Sequence, residues 1–161
     1  MGPLSLFLAM LLAGSVAHKA IAHDRLASVA SRLTGLRAQG IVPLVLAGTL
    51  EAIAAACLVV PELRSVGSLL ATVVWSAYTF ALLRHRGETL DCGCDLVARE
   101  KPVDWPLIAR PAVLAAIAAL VSTLPAVPLG IDAPFAAAGL LALYLAASEL
   151  LVIPNPRWRK S

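Results

Sequence analysis

Five apolar stretches, each closed by charged, polar or prolyl residues, divide the chain at residues 3–22, 41–60, 66–83, 107–124 and 134–153. Each is close to the length of helix that crosses the hydrocarbon layer of a bilayer. None shows the polar–apolar alternation of a membrane barrel strand, and a backbone in lipid must satisfy its own hydrogen bonds, so each is expected to be a helix. The predicted architecture is all-α: one transmembrane domain over residues 1–161, an integral membrane bundle of about five helices. Between the first two spans, Leu26, Val29, Ala30, Leu33 and Leu36 recur at helical spacing beside Arg25, Arg32 and Arg37, with Asp24 placed to cap the start. This pattern predicts an amphipathic helix over residues 24–38 lying on the membrane surface, with a soluble linker helix as the alternative.

Composition agrees with a bilayer as solvent. Hydrophobic residues make up 60% of the chain and charged residues only 14%, outside the usual balance of a water-soluble domain. The net charge of +3 does not point to nucleic acid, because the basic residues stand at the ends of apolar runs rather than in a stripe with aromatic side chains. They set topology instead. With the N-terminus outside, Lys19, Arg25, Arg32, Arg37, Arg84, Arg86, Arg99, Lys101, Arg110, Arg157, Arg159 and Lys160 all fall on the inner face, and Arg64 alone is left outside. Localisation is therefore expected in the bacterial inner membrane, with a periplasmic N-terminus and a cytoplasmic C-terminus. Ala20-Ile21-Ala22 resembles a signal cleavage site, but the basic residues follow the apolar run instead of preceding it, which favours a retained span.

Candidate chemistry lies in the polar segment before the fourth span, Arg84-His85-Arg86-Gly87-Glu88-Thr89-Leu90-Asp91-Cys92-Gly93-Cys94-Asp95, within a cysteine loop over residues 84–106. Two thiols separated by one residue close only a strained ring, which favours exchange over stapling. Arg84, His85 and Arg86 would favour thiolate at Cys92 and Cys94, whereas Asp91 and Asp95 would oppose it. A redox-active dithiol is one reading. A soft-metal site using both cysteines, His85 and Asp91 or Asp95 is another, and a pair of inert loop cysteines is a third. Cys57, near the outer end of the second span, reads as a packing residue, with a relay thiol as the alternative.

Ionisable groups within the spans are costly and need partners. Glu51 lies midway along the second span, with Lys19 and His18 as candidate partners, although Lys19 is also close enough to its helix end to snorkel. Glu149, near the inner end of the last span, is placed to pair with Lys19 or Arg110 or to reach water. His18 and His23 do not share a helical face and no Cys-x-x-Cys-His is present, so haem is set aside and no cofactor is expected. Trp75, Trp105, Trp158 and Tyr144 read as core or interface anchors.

Several of these features together resemble the MauE family of methylamine utilisation membrane proteins, within a wider DoxX-like group. The resemblance rests on Lys19 at the end of the first span, Pro43 followed by Glu51, Leu90-Asp91-Cys92-Gly93-Cys94 in the loop, and Trp105-Pro106-Leu107-Ile108-Ala109-Arg110 entering the fourth span. Asp95-Leu96 and Pro111 depart from the group's common Phe-Gly and Asn. The resemblance implies a DoxX-like four-helix core plus one helix, and a part in maturing methylamine dehydrogenase. Its implied partners are a thioredoxin-like protein, MauD, and the dehydrogenase small subunit, with Cys92 and Cys94 as the redox pair. Rivals to a thiol-disulfide oxidoreductase are a non-enzymatic scaffold for the thioredoxin-like partner and a metal-binding or small-solute membrane protein. The charge rule puts the cysteines on the cytoplasmic face, whereas the implied client matures in the periplasm.

Overall fold

In a computed structural model, residues 2–35, 40–90, 101–125 and 130–150 are described. The order of elements is α1 (Pro3–Ile21), α2 (His23–Thr34), α3 (Ile41–Val59), a single 3-10 turn (Pro61–Leu63), α4 (Arg64–Arg84), β1 (Thr89–Leu90), β2 (Lys101–Pro102), α5 (Trp105–Thr123) and α6 (Ala133–Leu150). Among the described residues, five helices are long and apolar enough to cross a membrane. Prolines mark several starts: Pro3, Pro106 and Pro134 each sit in a first turn, where the missing N–H has no intrahelical acceptor to lose. Pro111, by contrast, lies inside α5 and removes the backbone donor that would reach the Leu107 carbonyl.

The helices form a ring. α1 packs on α3, α3 on α4 and α4 on α5, α5 touches α1, and α6 lies against the outer side of α1. α1 is the central element, contributing Phe7, Leu8, Leu11 and Leu12 to the core. Small side chains line the rest of that core: Ala54 of α3, Ala71 of α4, Ala118 of α5 and Ala137 of α6 are completely buried. Lipid offers no hydrophobic gain for helix association, so close backbone approach and dispersion supply the attraction instead. α3 and α4 approach closely at Gly67, where an added Cβ would lie 2.6 Å from the Leu58 amide nitrogen and 2.9 Å from the Cys57 Cβ. Cys57 is thus a half-buried free thiol at the α3–α4 contact. Outward positions are large and apolar, Val45, Leu46, Val73, Val113, Phe135 and Leu143 among them, a coat that suits lipid rather than water.

Two local expectations need correction. Asp24 does not cap the surface helix, because α1 and α2 are nearly continuous. Ala22 occupies the N-cap, its amide bonds back to the His18 carbonyl, and its own carbonyl accepts from Leu26. The acidic side chain, two residues past the N-cap, lies 3.2 Å from the His23 ring nitrogen. Nor does α2 rest on lipid alone: Leu26 is 3% exposed, and Leu33 packs on Leu82, Val103, Leu107 and Ile108 at the end of the bundle. The same apolar stripe serves a membrane surface and a protein surface, and here protein takes it. The predicted third and fourth spans also start later than α4 and α5, which begin at Arg64 and Trp105. The start of α5 is fixed by Asp104, whose Oδ1 accepts from the Leu107 amide. Cys92, Cys94, Trp158, residues 36–38 and residues 151–153 lie outside the described residues.

The α3–α4 contact makes a direct prediction. Gly67→Ala forces its Cβ against α3 backbone, so thermal unfolding of the detergent-purified protein should shift down by the equivalent of about 1–3 kcal/mol, the usual cost of overpacking. An unchanged melting temperature would show that the helices do not approach this closely.

Candidate functional site

The bundle's most polar interior point joins α1, α3 and α4. Ser15 and Lys19 are four residues apart and so share one face of α1. Glu51 projects from the middle of α3 and is 1% exposed, while Lys19 is 8% exposed. The Lys19 ammonium lies 2.9 Å from each Glu51 carboxylate oxygen and 2.6 Å from the Ser15 hydroxyl oxygen. Glu51 Oε1 also accepts from Ser15 at 3.3 Å and from the Tyr78 hydroxyl at 2.5 Å. The Tyr78 ring completes the shell, its centroid 5.4 Å from the ammonium nitrogen.

All three ammonium protons therefore have acceptors, and the carboxylate receives four hydrogen bonds. Burying two opposite charges at this depth is tolerable only with such saturation. A clamp between helices is the chemistry this geometry suits. A carboxylate holding a solute would need open coordination, which Glu51 lacks. Glu149 is exposed near the end of α6, and Lys19 directs its protons to Glu51 and Ser15. Arg110 ties α5 to α6 by donating to the Ser148 carbonyl at 2.8 Å. The Nε2 of His18 is buried with no hydrogen-bond partner among the described residues, so of the two candidate partners for Glu51 the structure supplies Lys19. Sequence reading missed Ser15 and Tyr78. A tyrosine between Ala77 and Thr79 in a helix otherwise rich in apolar residues is the only signal that would have pointed to it.

The second part of the site is the base of the cysteine loop. After α4, Gly87 adopts a φ of +89°, a left-handed conformation that suits glycine and turns the chain. β1 then pairs antiparallel with β2, Thr89 opposite Pro102 and Leu90 opposite Lys101. Two further bonds extend the ladder inward, Gly87 N–H to the Val103 carbonyl at 3.1 Å and Val103 N–H to the Glu88 carbonyl at 2.8 Å. The paired strands make a neck, and Val103, 2% exposed, plugs it into the bundle against Leu82, Leu107 and Ile108. Cys92 follows the last residue of β1 by two positions in the sequence.

Basic residues flank the neck, each against an aromatic or acidic neighbour. The Arg86 guanidinium stacks 4.4 Å from the centroid of Trp105, and Arg84 stands at the same distance over Phe80. His85 Nδ1 lies 3.2 Å from Glu88 Oε2. Trp105 is 58% exposed, as an aromatic anchor at a membrane boundary would be, whereas Trp75 is in the core and Tyr144 meets Phe7 edge to face at 6.1 Å. Cys57 lies sixteen positions along α3 from Ile41, at the end nearest the neck, or about 24 Å at 1.5 Å per residue.

Removing one member of the ion pair should cost more than removing both. Lys19→Met or Glu51→Leu strands a buried charge, with an expected loss of about 3–5 kcal/mol, while the double variant should recover a large part of it. Thermal unfolding of the four proteins in detergent reads the coupling directly. Additive losses would show that the charges act independently.

A family model described as methylamine utilisation protein MauE matches residues 3–125. The match takes in α1, α3, α4 and α5, the ion pair and both strands of the neck, and stops before α6. Comparison with curated proteins and with solved structures gives no match. With the match extending over most of its length and five apolar helices in its structure, the chain belongs to the MauE family and is a multi-pass membrane protein of methylamine utilisation.

Proposed function

We propose that the protein is a thiol-disulfide exchange factor for maturation of methylamine dehydrogenase, with Cys92 and Cys94 as its redox pair and a thioredoxin-like protein as its partner. The observation that carries this reading is the neck. The ten residues 91–100, Cys-Gly-Cys among them, are joined at both ends to paired strands, so the two ends of the segment are held together at one end of the bundle. Chemistry on loops depends on rigid bases of this kind.

The exchange balances within the two proteins. A partner thiolate attacks one sulfur of the Cys92–Cys94 disulfide, forming a mixed disulfide and releasing the other sulfur as thiolate. The partner's second thiol, after losing its proton, attacks the mixed disulfide, leaving a dithiol on this chain and a disulfide on the partner. The reverse sequence oxidises the pair. Strain in the small Cys-Gly-Cys ring makes its disulfide the readier oxidant. The basic residues at the neck end, Lys19, Arg25, Arg32, Arg84 and Arg86, support a cytoplasmic neck under the charge rule.

Cys92→Ser and Cys94→Ser should each leave the protein membrane-inserted with an unchanged melting temperature, while active methylamine dehydrogenase fails to accumulate. Undiminished dehydrogenase activity in both variants would sink the exchange reading, and partner co-purification that persists without either thiol would mark docking in place of exchange. Labelling intact cells with a membrane-impermeant maleimide tests the side. Cys92 and Cys94 should stay protected until the inner face is opened; labelling from outside after reduction would place the neck in the periplasm.

A further inference from the structure

α2 packs on α3 at the neck end of the bundle and is held there at two points. Leu33 lies on Leu82, Val103, Leu107 and Ile108, and Gly40 sits so close to the helix that an added Cβ would strike the Ala27 carbonyl and the Ser31 Cβ. The helix also roofs a half-open cavity of about 260 Å3, walled by Val29 and Leu33 of α2, Ala47 of α3, and Ala77 and Ala81 of α4. Well-packed interiors leave few voids larger than one water molecule, so a space of this size calls for an occupant.

The polar side chains in its wall are already engaged. Lys19 directs its protons to Glu51 and Ser15, and the Tyr78 hydroxyl donates to Glu51. The other side chains in the wall are all apolar. Such a surface holds neither water nor a polar solute; it suits hydrocarbon, which the bilayer around five spanning helices supplies. Charge beside the wall identifies the kind of chain. Arg25 and Arg32 stand four and three residues from Val29 and so share its edge of α2, and Arg84 stands three residues from Ala81 on α4. All three are exposed, whereas Asp24, the acidic residue of α2, falls on the face opposite the apolar stripe and lies against His23. Arg64, by contrast, is buried at the other end of the bundle and donates to the Leu124 carbonyl.

We propose that the cavity beneath α2 takes one acyl chain of an anionic phospholipid, whose phosphate meets the guanidinium groups of Arg25, Arg32 and Arg84. A guanidinium presents paired N–H donors to two phosphate oxygens. Basic residues on an amphipathic helix favour anionic lipid where its apolar face reaches the acyl region. The chain fills space that side chains leave open and adds dispersion contacts on three helices. Leu33 belongs both to the cavity wall and to the cluster that seats Val103, so a bound chain also backs the neck. The cysteines take no part in this binding, and no covalent step is involved.

Native mass spectrometry of the full chain in mild detergent, titrated in turn with dioleoylphosphatidylglycerol, dioleoylphosphatidylcholine and decylubiquinone, tests the site. The wild-type protein should retain one phosphatidylglycerol per chain, at least about tenfold more tightly than phosphatidylcholine. Arg32→Gln combined with Arg84→Gln should remove that preference, and both positions are exposed, so the fold should be kept. Ala77→Phe, at an exposed position of the wall where a ring narrows the cavity, should lower retention of both phospholipids. Added phosphatidylglycerol should raise the melting temperature of the wild type and not that of Ala77→Phe. Equal retention of the two phospholipids by the wild type, undiminished binding in Ala77→Phe, preferred retention of the quinone, or a dimer in place of a lipid adduct would each overturn the proposal.

Discussion

A lysine and a glutamate facing one another inside an apolar bundle constrain everything around them. Each would be costly alone in lipid, and each is held by the other at 2.9 Å, with Ser15 and Tyr78 filling the remaining hydrogen-bonding capacity. The pair fixes the register of α1 against α3, and the tyrosine extends that constraint to α4. Once those three helices are set, the small residues Ala54, Ala71 and Gly67 are in position for close contact, and α5 and α6 add to a core already defined. Apolar packing alone is nearly indifferent to one-turn shifts. Four polar side chains meeting at one point are not.

Much of this was legible from the chain. Uninterrupted apolar runs announce membrane helices because nothing else tolerates them, and Glu51 and Lys19 stood out because ionisable groups at that depth require partners. Ser15 and Tyr78 were not legible, since hydroxyl side chains enter apolar helices cheaply and carry no spacing that marks them as ligands of a carboxylate. The docking of α2 on the bundle was hidden for a different reason: the stripe through Leu26 and Leu33 reads identically whether lipid or Leu82 and Val103 lie opposite. Strands of two residues have no periodicity to detect, so the neck appeared only as a polar loop. Arg64 was conspicuous as the lone basic residue on its side, but no pattern in the sequence announced its burial.

The two ends of the bundle are built on different principles. At one end, aromatic and basic side chains brace a backbone ladder, with Arg86 on Trp105 and Val103 inserted among leucines. At the other, the first turn of one helix, the first residue of another and the last carbonyl of a third surround a half-open space. Between them α1 runs uninterrupted, carrying the clamp near one end and an uncapped N-terminus at the other. Family membership covers both ends and the four helices of the ring, while α6, joined to α1 and to Arg110, stands outside the matched region.

The neck also separates two kinds of cost. In an ordinary interhelical loop, every added residue raises the entropic expense of bringing two helices together, and the bundle bears it. Here β1 and β2 bring the chain together before the loop begins, and Val103 secures that closure to the core. The closure cost of residues between the strands is therefore counted from the hairpin base, and it grows slowly with length. The joining of α4 to α5 is thus settled by a backbone ladder and one buried valine, whatever lies between the two strands in the sequence.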